Sequence, residues 1–511
     1  MASADFLSLL PALSVALPLF GALLVVPLRR FGERRRQQLL AGLCGLTTLL
    51  VLGLLPGALA GTPRAISLLQ FTPQVRLLLR VDAMGALFAA TLSVLFLLAL
   101  IYSGPYLQRR EKGAHDGHRD RYFVFFMMCQ GWMLGVAWAG NLITLLVFYE
   151  LFSILSYPLI VHDETPEALR AGTKYIVYIL CGGSLVLFGI ILCFFLVGDR
   201  PFTPGGMLDA SMDGAMLKVV FWSFIAGFGV KAALMPLHGW VPDAHPVAPA
   251  PFSALLSGVM VAAGCFAMMR VVFEVFGAGL AAALGVMPWL SAVAAVSVLL
   301  AALLAAGEDQ LKRRLAWSTI SQMAYVVLAV SLLAPGVTTG ALVHITHHAF
   351  LKGGLFFCAG LLADVAGIRR VSEMAGAARR MPLTMACFAV AALGIVGVPP
   401  LSGFIGKWVM GLGMAQAGHP EMLLVLLGGA LLAALYLLPP VWLAYFRAPA
   451  ESDDGRCDPS SRLEAEAPVG MLGPLLAATA ISILLGVCAA LPGLPLSLAR
   501  RAAAAFFGAE F

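Results

Sequence analysis

Apolar runs, each about as long as a bilayer crossing and each closed by a short polar stretch, recur from one end of the 511-residue chain to the other. A crossing helix needs about 20 mostly apolar residues. Drawn at that length, the runs predict about fourteen helices, from roughly 6–28 to roughly 470–491. Five bear on the chemistry: the fifth (roughly 141–162), seventh (217–235), eighth (251–276), eleventh (339–364) and twelfth (383–411). Gly, Pro, His or Lys interrupt the seventh, eleventh and twelfth, which are expected to be broken.

The chain is 60% hydrophobic and 12% charged, with a mean hydropathy of +0.92. No water-soluble domain needs that much apolar surface, and the runs are too long for barrel strands. The expectation is an all-α polytopic membrane protein. The first run reads as a retained helix, because MASADFLSLL lacks the basic start of a cleavable leader. A net charge of +6 does not point to nucleic acid, since the basic residues lie in short loops between spans. About 22 of them fall in odd-numbered loops, among them Arg34, Arg35, Arg36, Lys112, Arg119, Arg379, Arg456 and Arg462, against about six on the other side. That asymmetry places both termini on the non-cytoplasmic side of a bacterial inner membrane.

Spans four to eight and nine to thirteen form two blocks of five. An odd number of helices inverts the second block, the plan of transporters whose sites lie on interrupted helices at mid-membrane. The fourth helix of each block carries a lysine near a break: Lys231 near Pro236, and Lys407 after Pro399-Pro400. The expected segments are 1–121 (three helices), 122–276 (first repeat), 277–411 (second repeat) and 412–511 (its last helix and a closing span).

Ionisable groups inside such spans are costly and mark charge pathways. Glu150 in NLITLLVFYELFSILSYPLIV and Lys231 in AGFGVKAALMPLHGWVP each fall near mid-depth. As a pair they suggest a lysine whose hold on a proton depends on its distance from a carboxylate, or else a static ion pair. In GALVHITHHAFLKGGLFFCAG, His344 and His348 share a helix face, with His347 beside them and Lys352 one turn on. Imidazole suits a proton relay. Structural hydrogen bonding and metal or haem ligation are the rivals, though HITHH lacks the glutamate of HExxH. Lys312, at the start of a span, is either an orientation charge or part of a proton uptake route, and Lys174 reads in the same way. His238, Asp243 and His245 in PLHGWVPDAHP line a cytoplasmic mouth or cap loop backbone. The nine cysteines form no CxxC pair and no nucleotide motif occurs, so no cofactor or metal site is expected in this chain.

FYELFSILSYPLI, GVKAALMPLHGWVPDAHPVAPAPFSALLSG, DQLKRRLAWSTISQMAYV, HITHHAFLKGGLFF and GVPPLSGFIGKWVM, taken in order, resemble one family. It comprises the antiporter-like membrane subunits of respiratory complex I, of Mrp-type multisubunit sodium/proton antiporters and of membrane-bound hydrogenases. The resemblance implies fourteen helices, an inverted repeat and broken seventh and twelfth helices. It assigns Glu150 and Lys231 to the family's glutamate–lysine pair, His344 and His348 to its histidine positions, and Lys407 to its terminal lysine. Lys407 and an end soon after the fourteenth span look most like the Mrp D-type and hydrogenase-associated subunits. One departure matters: family members usually hold a lysine or histidine midway along the eighth span, where this chain has Val261, Ala262 and Ala263.

The function expected is translocation of protons, or exchange with Na+, through a subunit that works with other membrane subunits in the lipid bilayer. The alternatives are a structural subunit that has lost conduction and a stand-alone solute transporter.

Overall fold

The computed structural model describes residues 2–62, 64–72, 75–110, 116–448 and 466–508. Lys112, Arg456, Cys457 and Arg462 lie outside them. Helices α1 (Ala2–Leu24), α2 (Glu33–Leu52), α3 (Ala83–Arg110) and α4 (Asp116–Ala137) lead into the part of the chain that carries the candidate residues. There follow α5 (Leu142–Leu155), α6 (Pro166–Val197), α7 (Gly214–Lys231) and the short α8 (Val241–Val247). Next come α9 (Ala250–Phe276), α10 (Met287–Gly307), α11 (Leu311–Ser331) and α12 (Pro335–Val365). The described chain closes with α13 (Pro382–Val396), α14 (Ser402–Gln416), α15 (Pro420–Phe446), α16 (Val469–Val487) and α17 (Pro495–Phe507).

Ten of the described helices are long and apolar enough to cross a membrane. Helix also occupies the other expected positions, where it is shorter or more polar. The outer faces are apolar: Phe195 of α6, Trp289 of α10, and Leu424, Leu431 and Trp442 of α15 are all largely exposed. A soluble surface does not carry such faces. Mostly apolar, α9 is buried along its whole length and forms the centre of the bundle. It relaxes into wider π turns at Leu256–Met260 and Val271–Phe276, which the sequence pattern does not announce.

Two of the expected breaks are present. The seventh span stops at Lys231, turns through Ala233 at φ 58° and a cis Met235–Pro236 bond, and resumes as α8. The twelfth divides into α13 and α14 around Gly397 and a cis Pro399–Pro400 bond. The eleventh span is not broken: α12 runs continuously for 31 residues, because Gly353 and Gly354 lie within a helix packed on all sides.

The fold is also not purely helical. Strands β1 (Arg64–Thr72) and β2 (Val75–Val81) pair antiparallel between α2 and α3. In β2, Arg76 and Arg80 alternate with Leu77, Leu79 and Val81, the period of a strand. The hairpin clasps the start of α5. Gly140 donates to the Leu78 carbonyl (2.8 Å), and Asn141 caps α5 by accepting from the Thr144 amide (2.9 Å) while its Nδ2 donates to the Arg76 carbonyl (3.0 Å).

A buried ion cluster fixes this end of the bundle. Asp82 accepts two bonds from Arg270 of α9 (2.6 and 3.0 Å), and Arg270 also reaches Glu274 (2.6 Å). Arg80 of β2 bonds both acids. Bidentate arginine pairing of this kind leaves no carboxylate unsatisfied. Arg270→Met should therefore strand Asp82 and Glu274 and cost about 3–5 kcal/mol, read as a lower melting temperature in detergent. Replacing Asp82, Arg270 and Glu274 together by apolar residues should cost less than the single change.

Candidate functional site

Lys231 ends α7 and is wholly buried. Its Nζ donates to the Tyr175 hydroxyl of α6 (2.9 Å) and lies 4.4 Å from the Phe152 ring centre. The Tyr175 hydroxyl donates in turn to the Ser153 carbonyl (3.1 Å) and meets Ser156. Trp240, beyond the break, donates to the Val230 carbonyl (2.8 Å) and so closes the helix end beside the lysine.

Glu150 lies on α5, and its Oε1 is buried without a hydrogen-bond partner. The expected close pair is not formed. Glu150 makes no ion pair with Lys231 within 4.0 Å, although the two charges are near enough to interact. The physical reason lies in their surroundings: Tyr175 already satisfies the ammonium, and the carboxylate rests against Gly183 of α6.

A second group follows α12. His344, His348 and Lys352 repeat every four residues along one face, all buried, with 6.1 Å between the two ring centres. None of the four ring nitrogens of His344 and His348 has a protein partner. His347 faces away from this line, toward the Ser402 backbone. Lys407 of α14 lies beside His344, brought there by a close helix contact: a Cβ at Gly406 would stand 3.1 Å from the His344 Cα. The Lys407 Nζ donates to the Ile395 carbonyl (2.6 Å) and the Val396 carbonyl (3.1 Å), the open end of α13. A cation suits that end of a helix.

Lys352 was a minor candidate by sequence, and the structure makes it central. It is wholly buried, its Nζ donates to the Leu315 carbonyl of α11 (3.0 Å), and α12 packs against α9 at Gly258. His245 of α8 continues the line. It is wholly buried, neither ring nitrogen has a protein partner, and it stacks on Phe356 with 4.8 Å between ring centres. Its electrostatic neighbours are Lys352 and Lys312. Lys312 donates to the Ala248 carbonyl (2.8 Å) and lines a cavity of about 330 Å³ with Tyr106, Arg110 and Asp364. Lys407, His344, His348, Lys352, His245 and Lys312 thus form an electrostatically connected series. No direct bond joins that series to Lys231 among the described residues.

Lys174 lies apart, exposed and paired with Asp243 (2.7 Å), as an orientation charge would be. His238 is half-buried against Trp317 near the same mouth. The described residues contain no group of three or more His, Cys, Asp or Glu side chains placed to hold a metal ion.

Two broken helices, one ending at Lys231 and the other bridged by Lys407, around a line of buried imidazoles define a class of polytopic membrane protein. The transmembrane family described as NADH:quinone oxidoreductase/Mrp antiporter matches residues 139–433, more than half of the chain. The chain belongs to that family and is an integral membrane protein. It is 31% identical over 475 residues to NADH-quinone oxidoreductase subunit N of Desulforudis audaxviator, covering 91% of this chain and 93% of that one. It is 32% identical over 351 residues to hydrogenase-4 component B of Escherichia coli, covering 65% of this chain and 50% of that one. Among solved structures, the Mrp complex of Dietzia sp. DQ12-45-1b matches with a TM-score of 0.85 at 22% identity over 98% of both chains. An archaeal membrane-bound sulfane sulfur reductase matches with a TM-score of 0.83 at 25% identity over 97% of both. Respiratory complex I of Thermus thermophilus matches with a TM-score of 0.80 at 22% identity over 98% of this chain and 100% of that one.

Sequence reasoning did not find Tyr175, and it left the role of His245 open. Tyr175 follows a loop lysine and looks like an interfacial aromatic. Tyr175→Phe should leave the buried Lys231 without its acceptor and cost about 1–3 kcal/mol of stability. In a Lys231→Met background the same change should cost little, a coupling measurable by melting both pairs of variants in detergent.

Proposed function

We propose that this chain is a proton-translocating subunit of a multisubunit membrane complex of the complex I, Mrp or hydrogenase kind, with Na+ exchange as the alternative coupling. Other membrane subunits would supply the driving reaction or the exchanged cation. The observation that carries the reading is the series from buried Lys407 to half-buried Lys312, in which the six ring nitrogens of His344, His348 and His245 are uncommitted to protein partners. A neutral imidazole takes a proton on one nitrogen and gives one from the other, so such a series passes protons without moving its side chains far.

In this reading Glu150 and Lys231 load one half of the path, and His344, His348, Lys352 and Lys407 serve the other. Lys352 supplies from α12 the titratable group that the middle of α9 lacks at Val261, Ala262 and Ala263, which answers the departure in the eighth span. His245 and Lys312 reach toward the cavity beside Arg110 and provide proton uptake from the cytoplasmic side. Moving one charge through 100 mV costs roughly 2.3 kcal/mol, so modest changes in the proton affinity of a few buried groups match the task.

Glu150→Gln, Lys231→Met and Lys352→Met, each made in the assembled complex and reconstituted in vesicles with a pH-sensitive dye, should each lower proton transport about tenfold or more. Transport unchanged in all three would reject the relay. A complex that assembles and runs its driving reaction without any transport through this chain would favour the structural-subunit alternative. Transport that follows a Na+ gradient and is lost in the same variants would select the exchanger.

A further inference from the structure

Glu150 and Lys231 belong to different helices, α5 and α7, and α6 lies against both. On α6 two adjacent glycines face the two partners. Gly182 meets α7 backbone to backbone: a Cβ there would lie 2.9 Å from the Gly227 carbonyl oxygen and 3.0 Å from the Val230 Cβ, next to Lys231. Gly183 meets Glu150 itself: a Cβ would lie 2.3 Å from Oε1 and 2.6 Å from both Cδ and Oε2. Successive residues of a helix point about 100° apart, so one two-residue step addresses two neighbours at once.

All three carboxylate atoms named would fall inside the van der Waals limit of a methyl group. The carboxylate therefore rests where only a glycine allows it. In that place its Oε1 has no hydrogen-bond donor and no ion-pair contact with Lys231, whose ammonium is held by Tyr175. No protein hydrogen bond fixes that oxygen in place. The space beside Gly183 is what lets it stay back from the lysine.

We propose that Gly183 is a positioning residue for the Glu150 carboxylate: it provides the withdrawn resting place from which Glu150 approaches or leaves Lys231. Filling that place would deny the withdrawn state and hold the two groups in one arrangement. The inference rests on the translocation reading for its effect on transport, but its geometric part stands alone.

The experiment uses the assembled complex with Gly183→Ala, Glu150→Ala, their combination, and Gly183→Ala with Glu150→Asp. The expected results are a fall in proton transport of about fivefold or more for Gly183→Ala, no further fall when it is added to Glu150→Ala, and partial recovery with Glu150→Asp, whose shorter chain clears the methyl. Melting temperature should follow the same order: Gly183→Ala lowers it only where the glutamate is present. An effect of Gly183→Ala that is as large in the Glu150→Ala background would assign the glycine to helix packing and overturn the proposal. So would unchanged transport and melting in Gly183→Ala, or a complex that fails to assemble with Gly183→Ala and is not recovered by Glu150→Asp. Wild-type transport in Glu150→Ala alone would instead remove the translocation role of Glu150, and the melting series would still decide whether Gly183 seats the carboxylate.

Discussion

A charge in an apolar interior must be paired or bonded, and this protein does so in two distinct ways. Buried Arg270 meets the carboxylates of Asp82 and Glu274, and buried Arg36 those of Asp120 and Glu33, while Arg314 donates to backbone carbonyls. The buried lysines meet neutral acceptors, Lys231 the Tyr175 hydroxyl, Lys352 the Leu315 carbonyl and Lys407 the Ile395 and Val396 carbonyls, and half-buried Lys312 meets the Ala248 carbonyl. Guanidinium does not release its proton in proteins, so the arginine cluster is a fixed fastening. An amine facing a neutral oxygen keeps a donor for it in either protonation state. The lysines are therefore held in place without being locked into one charge, and for Lys407 and Lys312 the acceptors are carbonyls left free at helix ends.

That division also explains how the fold serves the site. The hairpin and the Asp82–Arg270–Glu274 cluster tie β2, α3 and α9 together at one end. Asn141 ties the hairpin to α5, the helix of Glu150. The rigid parts are ion-paired or strand-paired, whereas the polar groups of the interior are left open. Buried imidazoles without protein partners are costly in a static core. Two of them, His344 and His348, follow one another along one face of α12 rather than being scattered through the core.

Much of this was legible in the sequence, because the bilayer imposes a simple rule. Runs of apolar residues located the helices, and lysines beside Gly and Pro located the breaks at Lys231 and Gly397. The four-residue spacing of His344, His348 and Lys352 alone puts them on one helix face. What the sequence hid depends on helices that are distant along the chain. Tyr175 reaches Lys231 across 56 positions. Lys352 is brought toward α9 only because α12 packs against that helix, at Ala349 against Gly258. The hairpin was overlooked because a short alternating stretch is faint beside long apolar runs. The separation of Glu150 from Lys231 arises from a missing side chain at Gly183, and an absence carries no charge or polarity to notice.

Lys407 joins the two pieces of the twelfth span by gripping the last carbonyls of α13 from within α14. A charged donor bonds about twice as strongly as a neutral one. The grip across the gap is therefore stronger for an ammonium at this one atom than it would be for a neutral amine, so the joint between α13 and α14 is tied to the charge of a single side chain.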